Sequence, residues 1–288
     1  FDQNSTSIGG TMDGAIVLYD LQHELTFSSS ISIHDFTYGA DTIGNINLNF
    51  DEEEKGKFEV NFKINSKSND INGAGFYQFN DNYLDAKIQL ERFDISSMAS
   101  YTQGQIENLS GTLAGEMSLK GPLESPSIAG QLNFKNTRFN TAFLGTDLHI
   151  ANETLVFKND EILFKDFLVN DIEGNSAKIN GTIGSNDFAS FSFNLQVNSD
   201  KFKFLNTKST GKADELYFGQ LYMSSVIDIK GNSNLPQIDA RIKITEGSDL
   251  TVVVLESDDD NNDYSDIVTF VSNKEEIINL DSLITQQS

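Results

Sequence analysis

The sequence predicts an all-β protein built from repeated short amphipathic strands. Three observations carry this reading. Apolar residues recur at every second position in run after run, the period of a strand with one buried face. The composition suits strands, with 22 Phe, only 3 Pro and no Trp in 288 residues, and with Asn and Ser filling the polar positions. Helical periodicity is almost absent, which sets aside α/β and helix-bundle architectures.

The clearest stretch is Leu109–Phe139. Leu109, Gly111, Leu113, Gly115, Met117, Leu119 and Gly121 alternate with other residues. Gly121 to Pro126 interrupts the run with two prolines that cannot donate to a sheet ladder. The alternation resumes at Ile128, Gly130, Leu132 and Phe134. This strand–turn–strand unit returns 110 residues later without a gap (Pro126 to Pro236). Leu119-Lys120-Gly121 becomes Ile229-Lys230-Gly231, Pro126-Ser127-Ile128 becomes Pro236-Gln237-Ile238, and Leu132-Asn133-Phe134 becomes Ile242-Lys243-Ile244. A looser echo relates Asp35-Phe36, Asp41 and Gly44-Asn45 to Asp166-Phe167, Asp171 and Gly174-Asn175. Such repetition points to an extended architecture. Two similar hairpins in an ordinary all-β domain are the alternative.

Three segments are expected along the chain. In residues 1–90, Ile31 and Ile33, then Ile46, Leu48 and Phe50, then Phe58, Val60, Phe62 and Ile64 mark strands, with Asp51–Gly56 as a charged turn. In residues 91–205, Asp94–Tyr101 is the clearest helical candidate, capped by Asp94, with Ile95 and Met98 on one face. Leu155 and Phe157, then Ile162 and Phe164, continue the alternation. Phe167 and Val169 restart it after a slip that suggests a bulge at Lys165-Asp166. Ile179, Gly181 and Ile183 follow, then the cleanest strand, Phe191, Phe193, Leu195 and Val197, after which Phe202 and Phe204 begin another. Residues 206–288 hold the second copy of the central unit, an acidic loop at 256–266 and a polar tail. In that loop Asp263 stands where a calcium loop needs a turn glycine and Thr269 where it needs a bidentate Glu, so a solvated loop is expected.

The absence of cysteine rules out a disulfide scaffold, a thiolate metal site and a Cys nucleophile. His23, His34 and His149 have no second histidine or carboxylate at ligand spacing, and no metal is expected. No nucleophile elbow, P-loop or dinucleotide glycine motif is present, so the chain is read as no enzyme, with no cofactor. The net charge of −23 disfavours nucleic acid and an anionic membrane surface. The chain opens at Phe1, without an initiator Met, signal peptide or long apolar run, and is read as a piece of a longer chain or a mature form.

About twenty strands with an apolar side and nothing helical to cover it leave two solutions. Two sheets cover each other, or one sheet curls so that its apolar faces line a trough. A trough of that many strands would run roughly 100 Å. Its natural occupant is an alkyl chain, each buried CH₂ contributing about 0.8 kcal/mol.

The pattern of Leu109–Phe139, with that of Glu153–Ile183 (ETLVFKNDEILFKDFLVNDIEGNSAKINGTI), resembles the TamB family of AsmA-like proteins. The likeness is clearest over residues 84–255, and the Asn-rich, Lys-containing style is similar to the Bacteroidetes branch. Asp239-Ala240 in place of Ala129-Gly130 departs from a one-to-one repeat. The resemblance implies an elongated, curled antiparallel or mixed β-sheet with a taco-like hydrophobic groove. It also implies a periplasmic bridge from an inner-membrane anchor, absent from this chain, to an outer-membrane barrel of the TamA/BamA type, for transport of phospholipid or assembly of outer-membrane proteins. The expected lining for phospholipid acyl chains is Leu113, Met117, Leu119, Leu132, Phe134, Phe191, Phe193, Leu195, Val197, Ile242 and Ile244. The alternatives are a chaperone-like scaffold that pairs its edges with outer-membrane strands, and a surface adhesin or carbohydrate-binding sandwich.

Overall fold

The computed structural model describes residues 7–20, 26–158, 160–185, 190–209, 211 and 216–253. The acidic loop and the polar tail expected from the sequence lie outside them. The described residues form a single antiparallel sheet, curled and groove-like, that does not close into a barrel. Its strands are β1 (Ile8–Tyr19), β2 (Thr26–Tyr38), β3 (Asp41–Glu54), β4 (Lys57–Asn65), β5 (Asp70–Gln78), β6 (Tyr83–Asp94), β7 (Ile106–Pro122) and β8 (Ser127–Thr141). They continue as β9 (Thr146–Lys158), β10 (Glu161–Asp171), β11 (Ser176–Gly184), β12 (Ser192–Thr207), β13 (Tyr217–Asn232), β14 (Leu235–Ile244) and β15 (Asp249–Val252). Each pairs with its sequence neighbours from β1 to β14, and β15 pairs with the part of β13 that β14 does not reach. No second sheet covers this one among the described residues, so the sandwich solution does not hold for them, and the pairing is antiparallel throughout instead of mixed. The segment boundaries at 90 and 205 fall inside β6 and β12.

The gapless repeat is one hairpin built twice. Leu119 pairs with Ile128 in β7–β8, and Ile229 pairs with Ile238 in β13–β14, the same register in both copies. The reversal differs. In the first copy the Ser125 amide donates to the Pro122 carbonyl, and in the second the Asn232 side chain accepts from the Asn234 and Leu235 amides.

The strands are longer and fewer than the short runs of the sequence suggest, because many of those runs are halves of one bent strand. Pairing slips at Ile33/Phe36 in β2, Leu90/Phe93 in β6, Phe164/Phe167 in β10 and Ser199/Phe202 in β12. At each slip two exposed residues turn outward and a Phe turns in. An unpaired extra residue bends a strand and sharpens its twist. Asp35, Asp166 and Lys201 occupy left-handed conformations at three of these bends (φ 51°, 49° and 49°). The Asp35 and Asp166 amides donate to Asn45 Oδ1 (2.9 Å) and Asn180 Oδ1 (2.7 Å). The weak echo in the sequence is therefore a shared bulge, with Asn180, not Asn175, as the counterpart of Asn45. Phe202 and Phe204 continue β12 past its bulge and do not begin a new strand, and β3 runs through Glu54 before a tight turn at Lys55-Gly56.

The buried apolar residues, Leu90, Leu113, Ile150, Phe167, Ala177, Phe202, Leu205 and Met223, gather at the bends and toward one long edge of the sheet. Two plugs close that edge. The first is a 3-10 helix, Ile95–Thr102, capped by Asp94, whose carboxylate accepts from the Ser96 amide at 3.0 Å. Its buried residue is Ser97, while Met98 points outward, so the face expected from Ile95 and Met98 is not the one it buries. The fully buried Asn69 donates to the Ile43 carbonyl and Ser97 Oγ and accepts from the Asp94 amide, which fixes the helix to β3 and β6. Tyr101 stacks on Tyr38 at 4.2 Å.

The second plug is the end of β12, which runs past β11 and meets strands that are not its neighbours. Asn206 N donates to the Leu144 carbonyl (2.8 Å), and Thr146 Oγ1 donates to the Phe204 carbonyl (3.0 Å). Asp171, buried at the β10–β11 turn, accepts from the amides of Lys203, Glu173 and Asn175 and from Asn175 Nδ2, at 2.8–3.0 Å. These contacts across β9–β12 draw the edge inward.

Burial works to raise the Asp171 carboxyl, but the Lys203 amide and the Asn175 and Glu173 donors outweigh it and hold the group below its ordinary value. A carboxyl held low in the folded chain contributes stability above the ordinary carboxylate range and loses it as pH falls through the folded value. Asp171→Asn is therefore expected to cost about 1–3 kcal/mol at pH 7, since it sets an amide against four donors. Urea midpoints at pH 7 and pH 3 check this, with the gap between wild type and variant closing at the lower pH.

Candidate functional site

Because pairing partners on adjacent strands project to the same side, the register carries one face from strand to strand. A single row crosses β1 to β14. It runs Gly14, Ile31, Leu48, Phe62, Gly73, Ile88 and Met117. It continues through Gly130, Phe157, Ile162, Ile183, Phe193, Gly231 and Pro236. Every member is apolar or glycine. At about 4.8 Å per strand the row is roughly 60 Å long. Two residues nearer the bends, Met12, Ile33, Ile46, Ile64, Ile71, Leu90, Gly115, Leu132 and Leu155 make a parallel row. Phe164, Gly181, Leu195, Ile229 and Ile238 carry a matching row over β10–β14. Away from the plugged edge most of these side chains are half-buried, because only their neighbours in the same sheet shield them.

The expected lining residues share this face. Leu113, Met117, Leu119, Leu132 and Phe134 occupy β7 and β8, with Leu113 buried and paired to Phe134. Phe193, Leu195 and Val197 lie on β12, in register with Gly231, Ile229 and Ile227. Ile242 and Ile244 lie on β14, and Ile244 is 55 % exposed. Phe191 stands just ahead of β12, outside any strand, where it lines a 170 Å³ recess with Ile128, Phe157, Ile162 and Ile183. The structure does not gather the eleven into one pocket, since four strands separate Met117 from Phe193 within their shared row.

Phe157, Ile162 and Ile183 fill that gap, and Ile31, Leu48, Phe62 and Ile88 extend the row to the other side. Their own alternation gave the signal, but the register that joins them is not visible along one chain. Aromatic contacts tie strands that are not adjacent. Phe134 meets Phe167 edge-on at 5.9 Å, and Phe27 lies 5.4 Å from Phe58. Glu153 was also missed. It pairs with Phe134 and shares the phase of Leu155 and Phe157, so it places a carboxylate on the apolar face. Extending that phase back by two residues would have found it.

The opposite face is polar. Asn47, Lys63, Asn72, Gln89 and Glu116 form one of its rows, and a 720 Å³ depression lies there over Gly73, Ala74, Ala129 and Gly130. The two faces thus differ in kind across the same backbone.

Glycine within the apolar rows allows close approach. A Cβ on Gly130 would stand 2.2 Å from the Glu116 carbonyl oxygen, and φ there is +144°. Gly130→Ala is expected to cost about 1–3 kcal/mol, read as a lower urea midpoint with an unchanged slope. Ala240 stands at the matching position of the second hairpin, paired with Ile227 on β13, and nothing in the structure explains why a side chain is accommodated there.

No curated protein and no solved structure matches the chain. Residues 165–287 match the family model of the TamB C-terminal domain, which joins the second bulge, the second hairpin and the strands between them in one recognised unit and supports the chain as a TamB-family fragment.

Proposed function

We propose that this chain is a length of a non-enzymatic periplasmic conduit, along whose apolar face lipid acyl chains slide between the inner and outer membranes. The observation that carries this reading is the row of apolar residues and glycines held in phase from β1 to β14. The family match supports a role in TamB-type transport of lipid or protein in the cell envelope. No helix among the described residues is long and apolar enough to cross a membrane. In this reading an inner-membrane anchor lies elsewhere in the full protein, and a TamA/BamA-type barrel receives the cargo.

The energetics favour collective contact over specific recognition. Each methylene moved from water onto the face contributes about 0.8 kcal/mol when fully buried. A two-tailed phospholipid is therefore held without any residue-specific chemistry, and it meets a similar surface one strand further on. Large exposed apolar areas are rare unless they bind something.

Native mass spectrometry of the purified chain, followed by organic extraction, tests the reading. Phospholipid in several copies per chain is expected, whereas a clean apo mass that persists after mixing with vesicles would overturn it. Phe193→Ala is expected to change lipid load little. Phe193→Asp places a charge in the middle of the row and is expected to reduce the load several-fold while the circular dichroism of the sheet persists. Loss of the sheet in Phe193→Asp would mean that the side chain serves packing alone.

One observation favours a second reading, a scaffold that pairs with outer-membrane strands. The outer edge of β1 has no partner among the described residues, and Ile8, Met12 and Ile16 are each about 70 % exposed. A scaffold would bind extended peptides equally well in wild type and Phe193→Asp, which a fluorescence-anisotropy titration separates from lipid uptake.

A further inference from the structure

Glu153 is an acid on a face built to exclude water. Its register partner is Phe134, and Leu155 and Phe157 follow it on the same side of β9. Phe167, which packs against Phe134, also packs against Phe164 at 5.5 Å. The β9–β10 ladder pairs Lys158, Phe157 and Val156 at one end and His149 and Leu148 at the other, and between them the Leu168 amide faces the Glu153 carboxyl and works to lower it. One donor leaves most of a carboxylate's acceptor capacity unused. Burial pushes the Glu153 carboxyl up despite that amide, so its charge is poorly compensated.

No cation answers it. Glu153 enters no ion pair with a described residue. Nearby, Arg92 donates to the Ser68 and Lys67 carbonyls, and Lys135 pairs across the sheet with Asn152 on the other face. The two other acids of this face are already satisfied. Glu52 accepts from the Gly56 amide at the β3–β4 turn, and Asp171 holds its four donors. Glu153 stays half-buried, neither sealed from a ligand nor free in bulk water.

We propose that Glu153 is the polar contact for an ammonium-bearing amphiphile whose alkyl chain lies on the apolar face beside Leu132, Leu155 and Phe157. This rests on the reading of the face as an alkyl-chain groove and adds a head-group preference to it. An ammonium supplies the charge and the donors that the carboxylate lacks, in a setting where a charge-assisted hydrogen bond is stronger than in water. An anionic head group meets an uncompensated negative charge instead. A neutral one gains only an ordinary hydrogen bond.

The test is calorimetric titration of the whole chain with three probes of equal chain length, each below its micelle concentration: dodecylammonium, dodecyl maltoside and dodecyl sulfate. The variant is Glu153→Gln, which keeps the size of the side chain and an oxygen toward the Leu168 amide while removing the charge. Wild type is expected to bind dodecylammonium about tenfold more tightly than dodecyl maltoside, the size of one charge-assisted hydrogen bond. The variant is expected to lose that preference while its affinity for dodecyl maltoside is unchanged. The comparison separates the site from general attraction to an acidic protein, since one charge among a net −23 alters the overall field little. A preference that survives in Glu153→Gln overturns the proposal and leaves the groove reading standing. Failure of all three probes to bind wild type overturns both.

Discussion

The structure depends on phase. In a strand the side-chain period is two, so a one-residue slip between neighbours would carry every apolar residue of that strand to the polar side. A row that stays apolar from Gly14 to Pro236 requires this parity to hold at every pairing along the path. With no second sheet or helical layer among the described residues to enforce it, parity is set locally, by short hairpin turns and by cross-strand pairs such as Phe62 over Gly73, whose ring occupies the space where a Cβ would stand. The curled shape and the difference between the faces both follow from that constraint.

The bulges reconcile phase with curvature. A straight strand that keeps strict alternation gives an open sheet with one wet and one apolar side. The outward pairs His34-Asp35, Lys165-Asp166 and Asp200-Lys201 each spend an extra residue to turn the strand, and the following Phe returns to the apolar side. The polar atoms freed at the bend find local partners in Asn45, Asn180 and Ser224. Bending thus leaves the backbone satisfied and gathers the buried residues where Asp171, Asn69 and Thr146 anchor the plugged edge.

Much of this was legible in the chain. Alternation located most strands, though not β1, β5, β6 or β15, the 110-residue offset located two copies of one hairpin, and the slip at Lys165-Asp166 located a bulge. Strand continuity was less legible, because a bulge and a turn both interrupt alternation. The run ending at Val197 and the run starting at Phe202 therefore looked like two strands. Register between strands was not legible at all, since it depends on which residues meet across space. For that reason the lining residues could be drawn only from the cleanest runs, while Phe157, Ile162 and Ile183, equal members of the same row, were left out. Glu153 escaped because a single acid at the head of an apolar run reads as the strand's beginning.

The order of the strands has a consequence of its own. From β1 to β8 the strand ladder joins only sequence neighbours, so its hairpins can close one after another with small loop-closure costs, and the longer reaches there are the 3-10 helix, held to β3 and β6 through Asn69, and the Phe27–Phe58 contact between β2 and β4. The stretch from β9 to β12 behaves differently. There Thr146–Phe204 joins β9 to β12, three places apart, and Asn206 reaches the Leu144 carbonyl in the turn just before β9, so those four strands must come together as a unit before either contact exists. The described residues therefore hold a block at β9–β12 that must close together and, before it, a run whose ladder is built hairpin by hairpin. That run is the half in which strands could be added or removed over evolutionary time, changing the reach of the sheet without disturbing its cross-section.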